Sequence, residues 1–106
     1  MIITTTDSIL GKRITRVYGL VRGNTIRARH VGKDIMAGFK NIVGGEIADY
    51  TKMMAESREH AIDRMIEDAE ALGANAIVGV RFTTTSMMQS AAELLVYGTA
   101  VMCEEM

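Results

Sequence analysis

Between Ile42 and Phe82 the chain reads IVGGEIADYTKMMAESREHAIDRMIEDAEALGANAIVGVRF: a glycine pair, a long helical pattern, one glycine, and an apolar strand pattern. At about 100° per residue, with Glu56 at zero, Ile47, Met54, Ala61, Met65, Ala69 and Leu72 fall between about 140° and 220°, an apolar stripe sustained for about seven turns. Glu56, Glu59, His60, Asp63, Glu67 and Glu70 lie opposite. The pattern predicts one amphipathic helix from about Ala48 to Leu72, with one face buried and the other acidic. Gly73 follows where a Schellman cap needs positive φ, and Ala74 supplies its apolar contact. Ala76 to Phe82 then reads as a nearly continuous apolar strand, buried on both faces.

The flanking segments supply the rest of a sheet. Ile2 to Thr6 is β-branched and ends in turn chemistry at Asp7 and Ser8, which predicts a first strand. Lys12 to Arg22 alternates with period two, with apolar residues on both faces. Gly23-Asn24 then reads as a bulge in one long strand or as a hairpin turn, with the bulge favoured. Asp34 can cap a short helix through Asn41, which Gly44 and Gly45 would stop. After Phe82 the strand pattern gives way to Thr83 to Thr85 and a loop through Met87, Met88, Gln89 and Ser90. Leu94 to Cys103 forms the last strand, antiparallel to the one before it and apolar on both faces. The expected fold is therefore α/β of the α+β kind, a single domain over residues 1–106. It has a mainly antiparallel sheet of three to five strands with one long and one short helix. One helical layer covers one sheet face, so the other face is expected to meet another subunit.

Hydrophobic residues make up 48% of the chain but aromatics only 5%, so packing rests on aliphatic side chains and nine methionines. With 12 basic and 13 acidic side chains interspersed, no long-range field draws the chain to nucleic acid or anionic lipid. No apolar window approaches the roughly 20 residues of a membrane span, and no leader pattern opens the chain. A soluble, unprocessed chain is expected. The single cysteine, Cys103, excludes an internal disulfide and fits the reducing cytoplasm.

Few residues carry chemistry. Arg58 projects at about 200°, into the apolar stripe, where an unpaired guanidinium is costly to bury. This predicts a buried ion pair within or between subunits, with Glu46 or Glu93 as partner. Glu56, His60 and Asp63 stand at i, i+4 and i+7 on one helix face and could form part of a divalent-metal site, although charged residues are expected on a solvated face. Cys103 reads as a small buried side chain and His30 as a surface or cap residue. No C-x-x-C, H-x-x-x-H or H-E-x-x-H unites them into a metal site, so no cofactor is called for by the residues themselves. No nucleophile signature or phosphate loop occurs, and no catalytic residue is assigned.

The G-G-E-x-x-x-Y opening at Gly44 to Tyr50, the R-E-x-A step at Arg58 to Ala61 and the A-L-G-A-N-A-I-V-G ending resemble the YbjQ-like family. The resemblance implies a small bacterial or archaeal cytoplasmic protein, a homopentamer of dodecin-like α/β subunits, labelled as binding heavy metal. A divalent metal is thus implied by the family label alone. The resulting expectation is a non-enzymatic self-assembling homo-oligomer that binds a small ligand or metal at subunit boundaries. Two alternatives stand beside it. One is an enzyme whose site is completed between subunits by Arg58, Glu46 or Glu59 and the hydroxyls of Thr83 to Ser86. The other is a partner-binding adaptor with an exposed patch at Met87 and Met88.

Overall fold

The structure, a computed structural model, describes residues 1–28, 45–88 and 91–106. The short helix expected over 34–41, together with His30 and Gly44, lies outside them. The described elements are β1 (Ile2–Ile3), β2 (Lys12–Ala28), α1 (Gly45–Leu72), β3 (Ala76–Met88) and β4 (Ala91–Glu105). They form a mixed α+β fold with one four-stranded sheet of order β1-β3-β4-β2. β4 is antiparallel to both β2 and β3, while β1 adds a two-residue parallel pairing, Ile2 to Ala76 and Ile3 to Ile77.

β2 is the one long strand favoured by the sequence, but Gly23 is neither a bulge nor a turn in it. The register runs without a break from Leu20 opposite Thr99 to Ala28 opposite Ala91; the irregularities fall earlier, between Ile14 and Arg16 and between Val17 and Gly19. The second of these carries Gly19 at φ +116°, which favours glycine. Gly23 serves packing instead. A Cβ there would lie 2.0 Å from the carbonyl oxygen of Ala61 and 2.7 Å from the amide of Met65, so its bare backbone lets α1 lie directly on β2. β3 and β4 run past their expected ends, to Met88 and from Ala91, which leaves a shorter connection than the expected loop through Met87 and Met88.

Gly45 lies within the long helix, α1, which runs from there to Leu72. Its buried ridge is Ser57, Ala61, Met65 and Ala69, all at 0% exposure, while Leu72 is 46% exposed. The ridge keeps the core of the expected stripe but leaves it at Leu72, because a straight helix crossing twisted strands changes the residues it presents along its length. Ser57 is buried without being apolar because its hydroxyl donates to the Met53 carbonyl at 2.9 Å. Beside it, Thr25 of β2 donates to the Ser57 carbonyl at 3.3 Å. The helix ends in a Schellman cap: Gly73, at φ +91°, donates to the Glu70 carbonyl at 3.0 Å and Ala74 to that of Ala69 at 3.1 Å. The Tyr18 hydroxyl also donates to the Gly73 carbonyl, tying the end of the helix to β2.

Two cores result, one on each side of the sheet. Under α1 lie Val21, Ala61, Met65, Ala69, Ala74, Ile77, Val80, Leu94, Val96 and Ala100. On the other face Ala76, Val78, Val101 and Cys103 pack with the partly buried Ile9 and Ile14. Asn75 locks this end. Its side chain accepts from the Cys103 amide at 2.8 Å and donates to the Cys103 carbonyl at 2.9 Å, extending the ladder beyond β3 by a side chain. Lys12 pairs with Glu105 and Arg13 with Glu104 across the same end. The hydrogen bond that the Lys12 ammonium donates to Glu105 raises its pKa above the usual lysine range.

Candidate functional surface

Alternation along β4 assigns each side chain to a face. Leu94, Val96, Gly98 and Ala100 lie under the helix; Glu93, Leu95, Tyr97, Thr99, Val101 and Cys103 point away from it. Register carries the assignment to neighbouring strands, so Leu20, Arg22, Asn24 and Ile26 of β2 and Arg81, Thr83 and Thr85 of β3 share the face away from the helix. Near Cys103 the residues around Ile9 cover this face. Farther along it is bare, with Leu20 66%, Ile26 56% and Tyr97 37% exposed. A row of Arg22, Tyr97 and Arg81 crosses it on three adjacent strands. Among the described residues its only carboxylate in this region is Glu93, which accepts from the Asn24 side-chain amide at 3.3 Å.

The helix side is also incompletely covered. α1 lies mainly over β2, less over β4 and scarcely over β3. Arg64 and Asp68 reach the outer edge of β2, so the opposite flank of the helix, with Ile62 and Ile66, turns toward β3. Arg58, one turn before Ile62, stands on that flank. Below it the helix-side surface of β3 carries Phe82, 47% exposed.

Arg58 is therefore exposed in the chain, contrary to burial within it. Glu93 cannot be its partner within one chain, since the two lie on opposite sides of the sheet; of the side chains from Thr51 to Ser86 and from Ala92 onward, none forms an ion pair with Arg58. Glu46 belongs to the first turn of α1. The wheel placed Arg58 correctly next to Ser57 and Ala61, but it could not show that the helix overhangs a bare strand on that flank.

Glu56, His60 and Asp63 are exposed on the outer side of α1, and Cys103 is 5% exposed in the core on the far side of the sheet. Sheet and helix thus separate the thiol from the imidazole. Among the described residues no group of three or more His, Cys, Asp or Glu side chains is placed to hold a metal ion, so these donors do not come together as a heavy-metal centre. Thr83 to Ser86, the expected hydroxyl cluster, are all exposed along β3. No described helix is long and apolar enough to cross a membrane. Sequence reasoning missed the outer edge of β3; the uncharged run from Phe82 to Ser90 was its signal.

These features define a class: a two-layer α+β chain whose chemistry-bearing side chains are dispersed and whose sheet presents an uncovered face. The chain belongs to the YbjQ family, whose model, described as "Putative heavy-metal-binding", matches residues 1–104. It is 59% identical to a UPF0145 protein of Clostridioides difficile over 105 residues, covering 99% of this chain and 94% of that one. A UPF0145 protein of Methanosarcina acetivorans is also 59% identical, over 101 residues and 95% of each chain. A crystal structure of a protein of unknown function from Pediococcus pentosaceus, assigned to the DUF74 family, superposes with a TM-score of 0.70 at 18% identity over 98% of both chains. At that identity the likeness is one of fold.

Proposed function

We propose that this chain is a non-enzymatic subunit of a homo-oligomer, a pentameric ring of dodecin-like subunits as the family resemblance implies, acting in the cytoplasm and holding a small ligand or metal ion where subunits meet. The observation that supports it is the bare sheet face with Leu20, Ile26 and Tyr97 exposed. The shape agrees. A compact chain of this length has a radius of gyration of about 13 Å, whereas this one has 17.7 Å and measures 58 × 20 × 17 Å. A slender subunit leaves more apolar surface in water than a compact one, and association removes it. Arg58 fits the same reading as an exposed cation open to a carboxylate of another subunit. A ligand site belongs at the boundary because the donors of one chain are dispersed.

Native mass spectrometry of freshly purified protein tests both parts. The expected result is a mass several times the 11.6 kDa of one chain, with any retained ligand visible as an added mass. A folded monomer at micromolar concentration would overturn the proposal.

A further inference from the structure

We propose that the outer edge of β3 from Phe82 to Ser86 is the strand on which a second copy of this chain docks, through backbone hydrogen bonds. The inference deepens the self-assembly reading and rests on it, naming the surface and the kind of contact.

It starts from where the backbone hydrogen bonds go. The Arg22 amide of β2 donates to Asp68 of α1, at 3.4 Å, and so points away from β4. Amides alternate along a strand, so Val21 and Gly23 point toward β4 and bond with Gly98 and Val96. Leu95 and Tyr97 must then bond to the other side, with Thr83 and Arg81. This leaves the amides and carbonyls of Phe82, Thr84 and Ser86 facing outward. The opposite end of β3 gives the same parity independently: the Val80 amide also points outward, donating to the Thr4 carbonyl at 3.0 Å.

The two edges of the sheet are treated differently. On β2 the helix side chains Asp68 and Arg64 occupy the Arg22 amide and the Asn24 carbonyl, and two register irregularities interrupt the strand nearer its start, where Lys12, Arg13 and Arg16 add charge. Such devices keep an edge from pairing with another chain. On β3 the segment through Thr6 covers the edge only as far as Val80, and Arg81 donates to the Thr5 carbonyl at the limit of that cover. From Phe82 to Ser86, between register shifts at Val78/Arg81 and Ser86/Met88, the edge has no charge and no proline, and its residues are all exposed. Among the described residues nothing pairs with it. An edge so undefended would aggregate unless covered from the time the chain folds, and the partner present at matching abundance then is another copy. Its side chains, one phenylalanine and hydroxyls, offer no charge by which a different protein would be selected.

Amide hydrogen exchange on the wild-type protein, with proline substitutions, tests this. In the assembled protein the Phe82, Thr84 and Ser86 amides should be protected, and dilution until mass spectrometry shows monomers should abolish that protection. Proline at an outward position leaves the ladder to β4 intact. Thr84→Pro should therefore retain the circular dichroism of the fold while reducing the assembled mass, whereas Thr85→Pro should damage the fold itself. Fast exchange of all three amides in an intact oligomer would overturn the edge assignment while leaving self-assembly standing. Protection that persists in monomers would overturn it too, since the cover would then come from the same chain. If Thr84→Pro fails to fold, the wild-type exchange measurement still decides. A monomeric wild type would remove the self-assembly reading and this one together.

Discussion

Substitution of Gly23 by alanine isolates the contact that positions α1 on the sheet. The added Cβ would lie 2.0 Å from the Ala61 carbonyl oxygen, 2.7 Å from the Met65 amide nitrogen and 3.0 Å from the Ala61 carbonyl carbon, and all three are backbone atoms. No side chain can rotate to make room. Bringing the nearest contact to an ordinary separation requires the helix to lift by roughly 1 Å or more, which loosens Ala61, Met65 and Val21 together. Overpacking of a core costs about 1 to 3 kcal/mol where neighbours adjust, and a 28-residue helix adjusts poorly, so the upper end applies. Against this, replacing glycine restricts the unfolded chain and stabilises by about 0.4 to 1 kcal/mol. The clash wins, leaving a loss of about 2 kcal/mol or more, or roughly 10 °C in melting temperature for a domain of this size. The assay is thermal and urea unfolding at one fixed protein concentration, because association shifts apparent stability. Gly11→Ala is the reference: nothing lies within 4 Å of its added Cβ, so only its φ of +78° is penalised, at about 1 to 2 kcal/mol. A Gly23→Ala protein as stable as the wild type would refute the close approach.

Asn75→Ala removes the acceptor of the buried Cys103 amide and should cost about 1 to 3 kcal/mol in urea unfolding, whereas a loss below 0.5 kcal/mol, roughly the effect of an ordinary surface change, would show the clasp to be unimportant. Arg58→Ala should change the unfolding free energy of the separated chain by less than about 1 kcal/mol, since the side chain is exposed there, while reducing the assembled mass; a large loss in monomers would mean burial within the chain. For metal, calorimetric titration of metal-free protein with zinc, nickel or copper(II) should show no submicromolar stoichiometric site. A site abolished by His60→Ala would instead place ligands on the outer face of α1, and one abolished by Cys103→Ser would place them at the end of β4.

What was legible in the sequence was what depends on neighbours along the chain. The Gly73 cap could be read because a Schellman motif is built within six residues, and the antiparallel pairing of β3 with β4 because both strands share a period and a short connection. Ser57 was missed because a wheel scores side chains by polarity, whereas burial of a serine depends on whether its hydroxyl can return to the helix backbone, as it does to Met53. Gly23 was noticed for a conformational reason and matters for a steric one: only a helix from 38 residues downstream, bringing Ala61 against it, reveals why a side chain is excluded.

The placement of α1 across the sheet is the larger matter, because periodicity identifies the face a helix buries without identifying the strands beneath. A helix about 10 Å wide covers two strands spaced about 4.8 Å apart. Because Gly23 draws α1 down onto β2, the pair chiefly covered is β2 and β4, and β3 from Phe82 to Ser86 is left exposed. The same placement brings Asp68 and Arg64 to the outer edge of β2, closing it, while the other edge, at Phe82 to Ser86, stays exposed. One glycine thus determines which edge the chain seals for itself and which it leaves for a neighbour. On this argument Gly23→Ala and Thr84→Pro should differ in kind: the first weakens the fold and only then the assembly, and the second weakens the assembly alone.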